Sequence, residues 1–213
     1  MTIESPNAIP DGLIAARALG SRGSEAEAPR WALTNLTGRF VEVTGTPQSS
    51  AVLTAVVGLL RTTQERGEYA AWVAAPDSTF YPPDLLEAGI DLATLPVIRP
   101  PSPREMARAA DVLLRSGGLA LLVLDWGVHP TRLNFNQQNR LSGLAQRHDC
   151  LLLALSQTGS GAQCSSLASL RTESAGHRLG QDHFRCELRA VKDKRHPPGW
   201  TYQTLHHGPD GLC

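Results

Sequence analysis

From residue 38 onward, short apolar runs separated by Pro- and Gly-rich breaks dominate the chain, and their spacing alternates between two periods. Phe40, Val41 and Val43 form a run that ends at Gly45 and predicts a strand. Between Ser50 and Gln64, Leu53, Val56, Val57 and Leu60 fall on one face of a predicted helix. Ala70 to Ala75 reads as a buried strand. Pro82 and Pro83 open a short helix from Tyr81 to Ala88. Leu95 to Ile98 is another short strand, stopped by Pro100 and Pro101. Ser102 is placed to cap a helix from Pro103 to Ser116, with Glu105 at the third helical position as in a capping box. Leu119 to Leu124 is an unbroken apolar run ending in Asp125, the pattern of a central parallel strand covered on both faces. Arg132 to Arg147 is expected to be helical, and Cys150 to Leu155 a second buried strand.

The period then changes. Phe184 to Val191 and Trp200 to His206 alternate, as antiparallel strands do, around a turn at Arg195 to Gly199. Strands alternating with helices, followed by a hairpin, predict an α/β sheet, parallel in the middle and antiparallel at its C-terminal edge. Residues 1–37 read as an arm and residues 38–213 as one core domain, with Trp31 near the junction. In the arm, Asp11 is placed to cap a short helix from Gly12 to Leu19 whose apolar residues are Leu13, Ile14 and Leu19.

Composition narrows the function classes. The 213 residues hold 20 Lys plus Arg and 20 Asp plus Glu, so bulk positive charge cannot drive binding to a polyanion. Only two of the cations are lysines, Lys192 and Lys194. No apolar run has the roughly 18 residues of a membrane span, and Met1 to Pro10 lacks the pattern of a secretory signal. Cys150, Cys164, Cys186 and Cys213 form no C-x-x-C pair, so a reduced, cytoplasmic protein is expected.

A strand, the segment Gly45-Thr-Pro-Gln-Ser-Ser-Ala-Val52 and a helix make the setting of a phosphate-binding loop. Such a loop needs G-x-x-x-x-G-K-[ST]: backbone N–H groups wrap the phosphates, the lysine reaches their oxygens and the hydroxyl holds Mg²⁺. Counted from Gly45, Ser50 replaces the second glycine, Ala51 the lysine and Val52 the hydroxyl residue; a register shifted by one, from Thr46 with Ser49 inside the loop, fares no better. Leu121 to Asp125 has the form of the strand whose terminal carboxylate positions Mg²⁺. A cap on the loop after that strand is the alternative role for Asp125.

In order and spacing these segments resemble the RecA-type recombinase core, from about Gly38 to Leu212. Gly38 to Gly45 is similar to the strand entering that family's phosphate loop, and Gly89 to Leu95 to its G-V-D stretch. Ala109 to Leu124 is similar to its helix and Walker B strand. Leu151 to Gln157 is similar to the strand ending in its nucleotide-sensing glutamine, and Val191 to Lys194 to its V-K-N-K segment. The resemblance implies a RecA-like, P-loop NTPase type core with a degenerate Walker A and a vestigial Walker B at Asp125, Gln157 standing at the sensor position. The catalytic acid expected after the second strand falls near Pro76, beside Asp77, and the segment matching a DNA-contacting loop, Thr158 to Leu170, holds no Lys or Arg. The expectation is a fold without ATPase activity, cofactor or metal. The ImuA-type accessory proteins of translesion mutagenesis, which work with an ImuB-like polymerase homologue, fit that description. The alternative is a SulA-type inhibitor that binds FtsZ.

The resemblance implies a RecA-type recombinase as partner. Leu13, Ile14 and Leu19 are candidates to dock on it, and equally suit a helix packed on its own core. Lys192, Lys194 and Arg195, with Arg185 and Arg189 nearby, are candidates for weak DNA contact or for a subunit interface; a solvated strand face is the plainer reading. His177, His183, His196, His206 and His207 lack the spacing of a zinc site. Gly159-Ser160-Gly161 lacks the frame of a nucleophile elbow. Deleting residues 1–20 is expected to abolish recombinase binding in a pull-down and leave the melting temperature unchanged; undiminished affinity would remove the arm from the interface.

Overall fold

A computed structural model of the chain describes residues 30–46, 51–128, 133–159, 164–180 and 183–207. One eight-stranded sheet forms the centre. In chain order its elements are α1 (Leu33–Leu36), β1 (Phe40–Thr44), α2 (Ala51–Glu65), β2 (Tyr69–Ala74), β3 (Val97–Ile98), α3 (Pro103–Arg115), β4 (Leu119–Asp125), α4 (Phe135–Arg147), β5 (Leu151–Ser156), β6 (Leu170–Arg178), β7 (His183–Asp193) and β8 (Thr201–His207). The strand order is β3-β2-β4-β5-β1-β6-β7-β8. All pairings from β3 to β6 are parallel, and β6-β7 and β7-β8 are antiparallel.

Strands β1, β4 and β5, each buried along most of its length, lie in the middle, where helices cover both faces. On one face α1 and α2 pack Leu36, Val52, Val56 and Leu60 against Val41, Val43, Trp72 and Leu153. On the other, α3 and α4 bring Met106, Ala110, Leu114 and Leu141 onto Phe40, Leu122, Leu124 and Leu152. The first crossover helix therefore lies on the face opposite the other two. The carboxyl ends of β1, β4 and β5 open between the two layers, where parallel α/β sheets place their ligands.

Packing begins ahead of Gly38. Trp31, Leu33 and Leu36 are buried, and the Trp31 indole donates to the Ala55 carbonyl at 3.1 Å, so residues 31–36 belong to the core. The expected helix from Gly12 to Leu19 lies outside the described residues. The segment from Tyr81 is a single 3₁₀ turn, Pro82–Leu85, which passes into turns closed by Gly89 at a φ of +76° and by the Ile90 N–H donating to the Leu85 carbonyl at 3.2 Å. Helix α3 starts where expected, with Ser102 Oγ accepting from Glu105 N at 3.4 Å; the Glu105 carboxylate accepts from the Ser102 hydroxyl at 3.1 Å rather than from its backbone N–H, so half of the expected capping box forms. Helix α4 starts at Phe135 rather than Arg132, because Asn134 caps it. Its side chain accepts from Gln137 N at 2.9 Å, and the Gln137 side chain accepts from Asn134 N at 3.0 Å.

One strand was not predicted. Strand β6 turns Leu170, Thr172 and Ser174 inward, and two buried hydroxyl residues disguise its alternation as loop composition. It joins the two halves of the sheet, parallel to β1 on one side and antiparallel to β7 on the other.

Two ion pairs fix that joint. The Arg39 side chain, 3% exposed, donates to Asp193 Oδ1 at 2.6 Å, and Asp193 Oδ2 accepts from the Trp200 indole at 3.1 Å. Glu42, fully buried in β1, accepts from Arg171 Nε at 2.8 Å and from the Cys164 backbone N–H. Burial alone would raise the Asp193 pKa. Donation from Arg195 N, Arg39 and Trp200 outweighs that and holds it below the usual carboxylate range. The stability this contributes is complete above the unfolded Asp value near 3.9 and is lost as the pH falls through the lower folded value. Arg39→Ala, which strands a buried carboxylate, is expected to lower unfolding free energy by about 3–5 kcal/mol in urea at neutral pH and to flatten the acid limb. A loss below about 1 kcal/mol would mean that the pair behaves as a surface salt bridge.

Candidate functional site

The candidate site is built at the carboxyl ends of β1, β4 and β5. Gly45 leaves β1 with its N–H donated to the Ser156 carbonyl and its carbonyl accepting from Gly159 N, both at 2.9 Å. The loop after β5 thereby closes on the end of β1. Ser49 and Ser50 lie outside the described residues, and Ala51 and Val52 form the first turn of α2. Val52 is fully buried and packs directly over Gly45: a Cβ on Gly45 would stand 2.3 Å from Val52 Cγ2 and 2.6 Å from Ser174 Oγ. Val52 is thus an apolar contact on the end of β1. It is seated against the end of the strand, with β6 behind it.

Asp125 ends β4 and is 3% exposed. One carboxylate oxygen accepts from Gly127 N at 2.9 Å and the other from Ser78 Oγ. The residue therefore ties its own loop to the loop after β2. Burial raises its pKa, offset in part by Ser78, Gly127, Trp72 and the charge of Arg99. Trp72 stacks on Phe80 with ring centroids 3.8 Å apart, and Arg99 donates to the Phe80 carbonyl at 2.6 Å, so this end of β2 is covered as well. Gly127 has a φ of +64°, and a Cβ there would lie 3.2 Å from the Asp77 carboxylate. A glycine is what lets the two loops meet.

Gln157 is buried beside this loop. Its N–H donates to the Gly127 carbonyl at 2.9 Å, and its side-chain oxygen accepts from Thr79 at 3.5 Å. Gly45, Val52, Asp125 and Gln157 therefore cluster at one end of the sheet. Trp126, which follows Asp125, is 1% exposed and packs under α3 and α4.

The cations form no single patch. Lys192 donates to the Ser166 carbonyl at 3.0 Å; burial first, then Lys194 and Arg171, lower its pKa. Lys194 lies one residue past the end of β7 and is exposed, and Arg195 donates to the Asn35 carbonyl at 3.1 Å beside α1. Arg185, Glu187 and Arg189 share a face of β7, where Arg189 pairs with Glu173 and Glu187 accepts from Gln203. Leu13, Ile14 and Leu19 lie outside the described residues.

Sequence reasoning missed Gln138, which organises the segment after β5. Its side-chain oxygen accepts from Ser165 Oγ, Ser166 N and Oγ, and Leu167 N at 3.0–3.3 Å. Nothing in a surface-type residue at that position announces the role. Burial pushes the thiols of Cys150 and Cys186 up to about 12 and also raises Cys164, which disfavours thiolate chemistry. Among the described residues, no group of three His, Cys, Asp or Glu is placed to hold a metal ion, and no helix is long and apolar enough to cross a membrane.

Comparison with known proteins adds a partial likeness to RecA proteins. The chain is 33% identical over 88 residues to RecA of Bifidobacterium breve, a stretch covering 41% of this chain and 22% of that protein. It is 35% identical over 88 residues to RecA of Methylococcus capsulatus, covering 41% and 25%. To RecA of Ruegeria pomeroyi it is 27% identical over 139 residues, covering 56% and 39%. The chain thus spans between about a fifth and two fifths of the length of these relatives. No family model matches it. The similarity is distant. The α/β fold, mostly parallel with antiparallel C-terminal strands, agrees with a RecA-like core.

The packing over Gly45 can be tested directly. Gly45→Ala is expected to destabilise the fold by about 1–3 kcal/mol through overpacking. Adding Val52→Ala should return part of that loss in a double-mutant cycle; strictly additive effects would show that the two residues do not touch.

Proposed function

We propose that the chain is a noncatalytic, RecA-like accessory protein of DNA-damage tolerance. It binds a RecA-type recombinase and an ImuB-like, error-prone polymerase complex in the bacterial cytoplasm, with DNA contacted weakly or through its partners. The observation that carries the reading is the phosphate-loop position itself. No lysine precedes Lys192, and Val52 is packed onto Gly45 where a nucleotide-binding relative needs a hydroxyl and open backbone. Transfer of a phosphoryl group needs cations already in place around the developing charge. This end of the sheet offers apolar contacts and a buried carboxylate instead. Asp125, with both oxygens engaged in loop contacts, serves there as a structural tie.

A RecA-type subunit that cannot turn over ATP can join or end a filament without taking part in its cycle. The distant similarity to RecA proteins supports a link to that recombinase. The same core without a functional phosphate loop is what both ImuA-type proteins and division inhibitors share, so the partner decides between them. Titration of the purified chain against the host recombinase, with and without single-stranded DNA and ATP, and in parallel against FtsZ, makes that test. Binding to the recombinase alone, with no ATP hydrolysis above background, is the expected result. Binding to FtsZ alone, or hydrolysis by the chain itself, overturns the reading.

A further inference from the structure

The two edges of the sheet are protected very differently. Strand β3 is two residues long, preceded by Pro96 and followed by Pro100 and Pro101, so it offers almost no backbone to a stray strand. Strand β8, at the other edge, runs for seven residues, Thr-Tyr-Gln-Thr-Leu-His-His, with no proline, glycine, carboxylate, lysine or arginine. Its pairing with β7 is regular from Arg189↔Thr201 to His183↔His207, so no bulge turns it away. Among the described residues nothing pairs with its outer side.

The contrast extends to its neighbours. Strand β6 carries Arg171, Glu173 and Arg178, and β7 carries Arg185, Glu187, Arg189, Lys192 and Asp193. Charge is used where strands are already paired and is missing from the edge that most needs it. Of the two histidines in β8, burial holds His206 below the ordinary imidazole range, which keeps it neutral at pH 7. Leu205 is 46% exposed on the face away from α2.

We propose that β8 pairs with β8 of a second copy of this chain, antiparallel about a two-fold axis at Thr204. The sequence is self-complementary in that arrangement. Gln203 lies opposite Leu205 of the second copy, Tyr202 opposite His206, and Thr201 opposite His207. Residues directly opposite share a face, so the helix-covered faces of both sheets stay on the same side. No like charges meet anywhere along the seven residues. That is compatible with an edge that closes on itself in a two-fold contact.

Sedimentation velocity of the full chain from micromolar to sub-millimolar concentration tests the proposal. A dimer fraction that rises with concentration is expected. The double substitution Gln203→Lys/Leu205→Lys sets lysines opposite one another at both cross-strand positions and should weaken dimerisation about ten-fold or more. Circular dichroism should stay as in the parent and melting should shift little, because both residues are exposed and the lysine at 203 meets Glu187 while the one at 205 meets Arg185 across the β7 pairing, two effects of opposite sign. Hydrogen exchange on the parent gives a readout that needs no substitution: protection that grows with concentration and is confined to β8. A parent that stays monomeric throughout, or a variant that dimerises as tightly as the parent, overturns the proposal.

Discussion

Arg39 and Glu42 are charged residues at the entrance and centre of the innermost strand, and the rest of the sheet depends on how they are neutralised. Each is almost fully shielded from water. An unpaired charge so placed costs several kcal/mol, whereas a well-bonded pair roughly offsets its own desolvation. Both partners come from the C-terminal strands: Asp193 ends β7, and Arg171 lies in β6. The parallel half of the sheet is therefore incomplete electrostatically until the antiparallel half has docked. The same pairs gather the segment after β5, because Arg39 also holds Ser169, and Arg171 holds the Ser165 carbonyl.

That docking fixes the shape of the candidate site. Strand β6 lies beside β1 and brings Ser174 against Gly45, while α2 brings Val52 from the other direction. Side-chain volume therefore fills the space beside Gly45 at the end of β1. Asp125 and Gln157 remain at their strand ends. They serve loop-to-loop contacts through Ser78, Gly127 and Thr79.

How much of this could be read in advance depended on whether the signal was local. The strands β1, β4 and β5, the helices α2 and α3 and the Ser102 cap follow from spacings among neighbouring residues. They were found within a residue or two. The limits of α4 and the existence of β6 were not. One turned on a capping box at Asn134 and Gln137; the other on hydroxyl residues at Thr172 and Ser174 facing a core. At the site, the missing lysine and the position of Asp125 were visible in the chain. The seating of Val52 on Gly45 and the many bonds to Gln138 were not.

The sequence by itself determined the class of fold, the positions of its main parallel strands along the chain and the late antiparallel hairpin, because each depends on which residues follow one another. Tertiary structure alone decided that Arg39 meets Asp193 and Glu42 meets Arg171, pairs 154 and 129 positions apart, and that β8 rather than β3 became the longer edge strand among the described residues. The reason is that charge pairing and strand adjacency are settled by which surfaces come together when water is excluded. Periodicity along the chain carries no record of that distance.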